Sequence, residues 1–290
     1  MQYTGDYMFR KKRVQTAESK PENLIVTQKD SSLQVDLENG HYLKIGAAQN
    51  QGKRPYQEDS YGFSNLSDSH LIESKGVLAV LADGMGGLSN GKEVSSMAVS
   101  GMIEYFNRPE SVCSCGAHIF NYVNTVNNAV CSRFNPDGSI RAGSTIVCAL
   151  INKGMLHWSC AGDSRLYLKR WNHIYQINED HDYLNKLLGE AIDDGTDFES
   201  AFTDKQKDSL VSCIGSSELS GDTSISGIYL LPGDKIMLCS DGIYNALPIT
   251  AINAFLQQPA QSAADTIEFA VLANGFSTQD NLTIIIISYE

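Results

Sequence analysis

Long apolar runs are missing from this sequence, and so is an excess of basic residues. No run approaches the roughly 20 apolar residues that a membrane-spanning helix needs, so we expect no transmembrane segment. Lysine and arginine number 22 against 34 aspartates and glutamates, which gives a formal net charge of −12. Nucleic acids and anionic membranes are bound by basic surfaces, so we expect neither as a partner.

Signals for export, disulfides and zinc are also missing. Residues 1–21 contain no apolar stretch of the kind found in signal peptides, and the seven cysteines lie mostly inside apolar runs, so we expect a cytoplasmic protein with reduced thiols. Cys113-Ser114-Cys115 has the wrong spacing for zinc, and none of the six histidines is spaced as HxH or HxxxH. Ser144 lacks the GxSxG context of serine hydrolases.

The chain has 290 residues and is 42% hydrophobic, which is enough for a sizeable core. Residues 1 to about 32 are polar and show no clear period, so we predict a partly ordered N-terminal extension over 1–40 and one folded domain over 41–290. Within that domain, residues 178–227 are more polar and irregular. We interpret this segment as an inserted surface lobe.

The remaining pattern alternates between strands and helices. Strands are predicted at 33–37, 42–45, 77–82, 145–151, 155–160, 165–169, 173–177, 235–240 and 282–288. Helices are predicted at 94–102, 119–130, 182–190 and 260–274.

Short consecutive strands joined by tight turns favour antiparallel pairing, and the turn at 161–163 is predicted to be a hairpin with Asp163 at its tip. Long helices cannot cross between antiparallel strands and must therefore cover outer faces. The predicted fold is α+β, a four-layer α/β/β/α sandwich of two packed antiparallel sheets flanked by helices.

Four short segments place a carboxylate at or beside the end of an apolar run. They are Arg54–Asp59, Ala82–Gly87, Ser240–Gly242 and Asp280–Thr283. Each aspartate alone is adequately explained as a turn or capping residue. Strand ends converge in a sheet protein, however, and several carboxylates held together repel one another unless a cation neutralises them. Hard divalent ions take oxygen ligands, so the joint occurrence favours a Mg²⁺ or Mn²⁺ site.

Two further residues of this region have competing interpretations. Arg54 has the planar guanidinium that suits a bidentate grip on phosphate, but the sequence alone favours a solvated loop arginine that pairs with Glu58. Gly86, Gly91 and Lys92 match the G-x-x-x-x-G-K phosphate loop of nucleotide hydrolases. Glu93 follows where that motif needs a Ser or Thr to hold Mg²⁺, so this alternative is disfavoured.

Taken in order, these motifs resemble the PPM family of metal-dependent Ser/Thr protein phosphatases, the type 2C class, in its compact bacterial form. The matching segments span residues 43–289 and are Arg54–Ser60, Leu81–Gly87, Ala142–Thr145, Ala161–Tyr167, Ile214–Gly215, Leu238–Gly242 and Asp280–Thr283. The resemblance implies two packed antiparallel sheets with a two-metal centre at one end. It also implies that the lobe at 178–227 is the flap of the family, which varies and shapes substrate choice.

The resemblance also implies residue roles. Asp83 would bridge two Mn²⁺ or Mg²⁺ ions and Gly84 would offer its carbonyl, while Asp241 and Asp280 would hold one ion and Asp59 with Glu58 the other. In some members a third, weaker ion sits at the position of Asp163. Arg54 would clamp the substrate phosphate. The catalytic residues implied are therefore Arg54, Asp83 and Asp241.

The implied activity is hydrolysis of phosphoserine and phosphothreonine in proteins by a metal-activated water, opposite a Ser/Thr kinase in signalling. The expected partners are phosphorylated proteins and a cognate kinase, and the expected state is a monomer. Met85 stands where many eukaryotic members have a histidine, so the general acid is unassigned. The alternative is a catalytically weak relative that acts as a phosphoprotein-binding regulatory module.

Overall fold

The computed structural model describes residues 31–37, 40–85 and 90–290. Most of the N-terminal extension predicted for 1–40 therefore lies outside the described residues, as do Asn39 of the predicted hairpin turn and residues 86–89 of the glycine-rich segment. None of the described helices is both long and apolar enough to cross a membrane.

The described ranges alternate strands and helices in nearly the predicted order. The strands are β1 (Leu33–Asp36), β2 (Tyr42–Asn50), β3 (Ser60–Phe63), β4 (Val77–Ala82), β5 (Ile146–Asn152), β6 (Met155–Ala161), β7 (Arg165–Arg170), β8 (His173–Gln176), β9 (Asp222–Thr223), β10 (Ile228–Tyr229), β11 (Lys235–Cys239) and β12 (Leu282–Tyr289). The helices are α1 (Ser69–Lys75), α2 (Gly91–Asn107), α3 (Gly116–Phe134), α4 (Tyr183–Asp194), α5 (Asp241–Tyr244), α6 (Ile249–Phe255) and α7 (Ala260–Ala273). A short 3₁₀ helix covers Glu199–Thr203.

The strands form two antiparallel sheets. Sheet A has the order β1-β2-β12-β11-β7-β8, and sheet B has the order β10-β6-β5-β4-β3, with β9 also paired to β6. The last strand of the chain, β12, lies between β2 and β11 in the middle of sheet A. The N-terminal strands are thus joined to the C-terminal ones by the longest pairing in the fold.

The two sheets pack face to face, and the helices cover their outer surfaces. Leu43 of sheet A and Leu81 of sheet B belong to one buried cluster between the sheets. Helices α2 and α3 pack on the other face of sheet B, and α6 and α7 on the other face of sheet A. Strands β4 and β12 are buried along their whole length because both of their faces are covered. The predicted four-layer sandwich is confirmed.

Close approach between helix and sheet requires a glycine in β2. A Cβ at Gly46 would lie 2.4 Å from backbone atoms of Gln261 in the first turn of α7. The missing side chain lets the helix backbone rest directly on the strand. Gln261 uses this contact, since its side-chain amide donates to the Ala47 carbonyl and accepts from the Ala47 amide.

The predicted hairpin at 161–163 is wrong. Strand β6 belongs to sheet B and β7 to sheet A, so the tight link between them crosses from one sheet to the other. Gly162 makes the crossing possible with a left-handed φ of +100°, at a point where a Cβ would lie 2.7 Å from the side chain of Thr145. Asp163 therefore sits between the sheets rather than at an exposed tip.

The segment 178–227 has two structural parts. Helix α4 confirms the predicted helix, and Asp182 caps it by accepting a hydrogen bond from the Asn185 amide. The second part belongs to the body of the sandwich: Ile214 is fully buried and bridges to Ser144, while β9 extends sheet B. The polarity of the sequence alone did not distinguish the surface part with α4 from the part that belongs to the sandwich.

Candidate metal centre

The carboxylates predicted to form a site converge at one end of the sandwich. Asp83 follows β4 of sheet B, Asp163 lies in the link between the sheets, Asp241 begins α5 directly after β11, and Asp280 precedes β12. They line one cleft of about 150 Å³. Its full lining comprises Arg54, Glu58, Asp83, Gly84, Met85, Thr145, Asp163, Leu210, Asp241, Asp280 and Asn281. All of the predicted site residues except Asp59 are in this set.

Asp59 lies beneath the cleft and is only 4% exposed. Its Oδ2 atom accepts hydrogen bonds from the hydroxyls of Ser240 (2.9 Å) and Thr283 (2.7 Å). Its carboxyl group also lies close to that of Asp83. Within the described part of the chain, its Oδ1 atom is buried without a hydrogen-bond partner. A buried carboxylate oxygen of this kind is costly unless another group, such as a cation, satisfies it.

The acidic groups raise one another's pKa values. Burial raises the pKa of Asp241 to about 7 and that of Asp163 to about 6, and neighbouring carboxylates add to both shifts. The pKa of Asp83 is raised well above its ordinary value by burial and then by the charges of Asp59 and Asp241. Burial also raises the pKa values of Asp59 and Glu58. These groups resist joint ionisation unless positive charge enters the cleft.

The chemistry of these side chains suits a divalent cation, but their arrangement in the structure does not complete a binding site. Within residues 31–37, 40–85 and 90–290, no three His, Cys, Asp or Glu side chains are arranged so that they could hold a metal ion as they stand. Asp280 accepts a hydrogen bond through its Oδ2 from Arg54 Nη2 at 2.5 Å. The donor set consists of oxygens that repel one another, with one buried oxygen unsatisfied, and this is the set that Mg²⁺ and Mn²⁺ prefer.

Arg54 lies at the mouth of the cleft and is half-exposed. It forms its ion pair with Asp280 rather than with Glu58, the partner considered from the sequence. The charges of Asp280, Asp241 and Glu58 all favour its cationic form, after the hydrogen bond to Asp280 itself, and its pKa is raised. A guanidinium in this place keeps positive charge at the entrance to a strongly acidic cleft.

The turn after β4 is compact because it contains Gly84. A Cβ at this position would lie 2.5 Å from the Gly91 carbonyl oxygen and 2.6 Å from that of Glu58. The Gly84 amide donates to the same Glu58 carbonyl at 3.2 Å. This packing brings the start of α2 against the segment that carries Glu58 and Asp59.

The geometry does not support the alternative interpretation of this segment as the phosphate loop of a nucleotide hydrolase. Gly86 of that motif lies outside the described residues. A Cβ at Gly91, where α2 begins, would lie 2.9 Å from Glu58 Oε1, so a carboxylate faces the helix N-terminus where that motif would place phosphate. Glu93 adds a second acidic group in the first helical turn.

Asn281 holds the loop that carries Arg54, Glu58 and Asp59 in place. Its role was not identified from the sequence. Its Oδ1 accepts from the Glu58 amide at 2.8 Å, and its Nδ2 donates to the carbonyls of Gln51 (2.8 Å) and Tyr56 (2.9 Å). The side chain is 4% exposed. The sequence did contain a signal for this role, namely an Asn directly after Asp280 at the start of a strand. An amide buried at such a place is normally fully hydrogen-bonded, so it is expected to hold neighbouring backbone.

A second group of side chains, formed by Tyr244, Arg165 and Asp180, supports the link at 161–163 between the two sheets. The Tyr244 hydroxyl donates to the Asp163 carbonyl at 3.1 Å, and the Arg165 guanidinium lies 3.5 Å from the centre of the Tyr244 ring. Arg165 in turn makes a buried bidentate ion pair with Asp180. These contacts fix Asp163 at the edge of the cleft.

Comparison with known proteins finds sequence relatives among phosphatases. A family model described as Protein phosphatase 2C matches residues 45–187. The serine/threonine phosphatase Stp of Listeria welshimeri is 26% identical over 241 residues, which cover 81% of this chain and 90% of that protein.

Solved structures share the fold. The serine/threonine phosphatase of S. agalactiae aligns with a TM-score of 0.70 at 22% identity, covering 86% of this chain and 100% of that one. The catalytic domain of the serine/threonine phosphatase PstP, in complex with two manganese ions, aligns with a TM-score of 0.66 at 22% identity and covers 86% and 99% of the two chains.

Proposed function

We propose that this chain is a metal-dependent Ser/Thr protein phosphatase of the PPM family, in its bacterial form, and that it removes phosphate from phosphoserine and phosphothreonine in proteins. The observation that carries the proposal is the acidic cleft at the end of the sandwich. There the carboxyl groups of Asp59 and Asp83 lie close together, and Asp59 Oδ1 is buried without a hydrogen-bond partner among the described residues. Such a cleft is chemically suited to divalent cations and unsuited to an anionic substrate on its own.

The cleft residues divide into two proposed sets of metal ligands. Asp83, with the Gly84 carbonyl beside it, would serve both ions. Asp241 and Asp280 would hold one of them, and Asp59 with Glu58 the other. The two manganese ions of PstP support two ions here, and either Mn²⁺ or Mg²⁺ fits an all-oxygen set. We assign Asp163, at the edge of the same cleft, to a third and weaker ion.

Bound ions would supply positive charge that lowers the pKa of a water molecule and balances the charge of the phosphoryl group. The chain's own residues contribute position and charge. Arg54 would bind the phosphoryl oxygens at the mouth of the cleft, where its guanidinium can donate two parallel hydrogen bonds. Met85 cannot donate a proton, and no histidine is among the described residues that line the cleft, so we propose that water protonates the departing oxygen.

We propose that the lobe at 178–227 is the flap that influences which phosphoprotein binds. Leu210 of this lobe lines the cleft directly, which supports the proposal. A polar segment with an apolar residue at the cleft is suited to contacts beside the phosphorylated side chain. We further propose that the protein works as a cytoplasmic monomer opposite a cognate Ser/Thr kinase.

The test is phosphate release from a phosphothreonine peptide, measured with Mn²⁺ and then with excess EDTA. We expect release that depends on the metal. Asp83→Asn should lower kcat by at least about a hundredfold, since it removes a charge from the centre of the acidic cluster. Asp36→Asn is the matched control, because Asp36 is an exposed aspartate on β1 outside the cleft, and it should leave kcat unchanged.

Two results would contradict the proposal. Equal turnover by the Asp83→Asn variant would exclude Asp83 from the metal site. If the folded protein released no phosphate with any divalent ion, the alternative of a phosphoprotein-binding regulatory module would replace the enzyme, and binding of the same peptide would then be measured directly.

A further inference from the structure

A row of polar side chains crosses the cleft end of sheet A. Gln49 in β2 is directly opposite Thr283 in β12. Ser240, the residue after β11, lies on the other side of Thr283, and its amide donates to the Thr283 carbonyl at 3.1 Å. Ser240 and Thr283 are fully buried, whereas Gln49 is exposed. The row therefore runs from the protein surface to the buried carboxyl group of Asp59.

Hydrogen bonds fix the direction of each donor in this row. The Thr283 amide can only donate, and it donates to Ser240 Oγ at 2.9 Å, so the Ser240 hydroxyl keeps its own hydrogen for Asp59 Oδ2. The Asp59 carbonyl can only accept, so the side-chain nitrogen of Gln49 faces it at 3.3 Å. The same nitrogen donates to Thr283 Oγ1 at 3.0 Å. The Thr283 hydroxyl hydrogen is thus directed at Asp59 Oδ2 as well, at 2.7 Å.

The two oxygens of the Asp59 carboxylate consequently differ. A carboxylate oxygen has about two lone-pair sites, and at Oδ2 the two hydroxyls occupy both. Oδ1 is buried and has no hydrogen-bond partner among the described residues. Asp59 can therefore offer a cation its Oδ1 atom but not both oxygens at once. Mg²⁺ takes six ligands in octahedral geometry, whereas the larger Ca²⁺ readily takes both oxygens of one carboxylate.

We propose that Gln49, Thr283 and Ser240 are positioning residues that hold Asp59 as a one-oxygen ligand of a divalent cation. None of the three is among the described residues that line the cleft, so they act through Asp59 and do not touch the ion. The inference rests on the proposed function, because it takes Asp59 to be a metal ligand. Hydrogen-bonded supports of metal ligands typically change metal affinity or activity by about 10- to 100-fold.

The test is calorimetric titration of the full chain with Mn²⁺ and, separately, with Ca²⁺. Thr283→Val keeps the shape of the side chain but leaves Asp59 Oδ2 with one donor. We expect its affinity for Mn²⁺ at one site to fall about 10- to 100-fold. Its preference for Mn²⁺ over Ca²⁺ should also shrink, because Asp59 can then place both oxygens on the larger ion. Thr283→Ser keeps the hydroxyl and should retain the Mn²⁺ affinity and the preference of the unmodified chain.

Gln49→Met tests the exposed end of the row. A substitution at an exposed strand position should leave the fold intact, and thermal unfolding in EDTA verifies that. Without the amide, the Thr283 hydroxyl is no longer directed only at Asp59, so Mn²⁺ binding should weaken, by less than in Thr283→Val. Gln34→Met is the matched control, since Gln34 is an exposed glutamine of β1 in the same sheet and should bind both ions normally.

Unchanged Mn²⁺ affinity in Thr283→Val would overturn the positioning role, as would an equal loss for Mn²⁺ and Ca²⁺ that Thr283→Ser does not reverse. If Thr283→Val does not fold, Gln49→Met decides, and its normal Mn²⁺ affinity would remove Gln49 from the row. Phosphate release, measured beside the titrations, separates this inference from the proposed function. Weakened Mn²⁺ binding in variants of a chain that releases no phosphate would support the positioning role and overturn the phosphatase. Metal-dependent release with unchanged Mn²⁺ binding in the variants would do the reverse.

Discussion

Replacing Asn281 is the most direct way to test whether the acidic cleft depends on the loop beside it. Asn281→Ala removes three hydrogen bonds at once, to the Glu58 amide and to the carbonyls of Gln51 and Tyr56. At about 0.5–1.5 kcal/mol net for each of the three bonds, the variant should lose roughly 1.5–4.5 kcal/mol of unfolding free energy. Because this loop is partly exposed, water can replace some of these bonds, so we expect the lower part of that range.

The effect on activity should exceed the effect on folding. The loop from Gln51 to Asp59 carries Arg54 and Glu58, and a misplacement of about 1 Å in a positioned group can cost about a hundredfold in rate. We therefore expect kcat/KM to fall about 10- to 100-fold, and the Mn²⁺ concentration for half-maximal activity to rise. Steady-state kinetics over a Mn²⁺ titration and urea unfolding measure the two effects separately.

Asn281→Asp sharpens the test because it preserves the size of the side chain while removing its donors and adding a charge. The carboxylate can still accept from the Glu58 amide, but it cannot donate to the two carbonyls and it adds negative charge to an acidic cleft. It should be at least as damaging as alanine. Asn274→Ala is the control, since Asn274 makes an exposed hydrogen bond at the end of α7 and should change neither quantity appreciably. Unchanged kcat/KM and Mn²⁺ dependence in both Asn281 variants would refute the reasoning.

Three further outcomes follow from the same geometry. Arg54→Ala should raise KM for a phosphopeptide more than it lowers kcat, and an unchanged KM in steady-state assays would exclude the phosphate-binding role. Arg165→Lys should lower the unfolding free energy measured in urea by about 1–3 kcal/mol, because lysine keeps the charge but loses the buried bidentate pair with Asp180; a loss below about 0.5 kcal/mol would contradict this. The raised pKa values of Asp163 (about 6) and Asp241 (about 7) mean that the metal-free folded state binds more protons than the unfolded chain, so its stability falls as pH rises from about 4 to 7. The gain in Tm caused by Mn²⁺ should therefore be larger at pH 7.5 than at pH 5, and an equal gain at both would argue against it.

Much of the fold could be predicted from local pattern alone. The apolar runs of β4 and β12 and the helical spacing from Ile119 to Val130 in α3 marked buried elements clearly. The order of these elements was enough to predict two sheets covered by helices. Strands β9 and β10 were not predicted, because two residues carry too little periodicity to be distinguished from a loop, and the four-residue strand β3 was also missed.

The link at 161–163 shows where local reasoning fails. A tight glycine-containing turn between two strands has the same sequence whether the strands pair or separate into different sheets. The choice depends on the steric fit of Gly162 against Thr145, which are 17 positions apart along the chain, and on pairing partners far along the chain. The carboxylates of the candidate site were identified because they share a chemistry. Their supports Ser240, Thr283 and Asn281 were not, since their roles depend on contacts made only after folding.

The central place of β12 has a consequence for how the protein is made. During synthesis the ribosome releases β2 and β11 well before β12, yet the two flank it in sheet A. Until residues 280–289 emerge, the sheet lacks its middle strand, Asp59 lacks the Thr283 hydroxyl, and the cleft lacks Asp280. A nascent chain, or one cut before residue 280, therefore cannot assemble the acidic cleft, and phosphate release should be absent until β12 has joined the sheet.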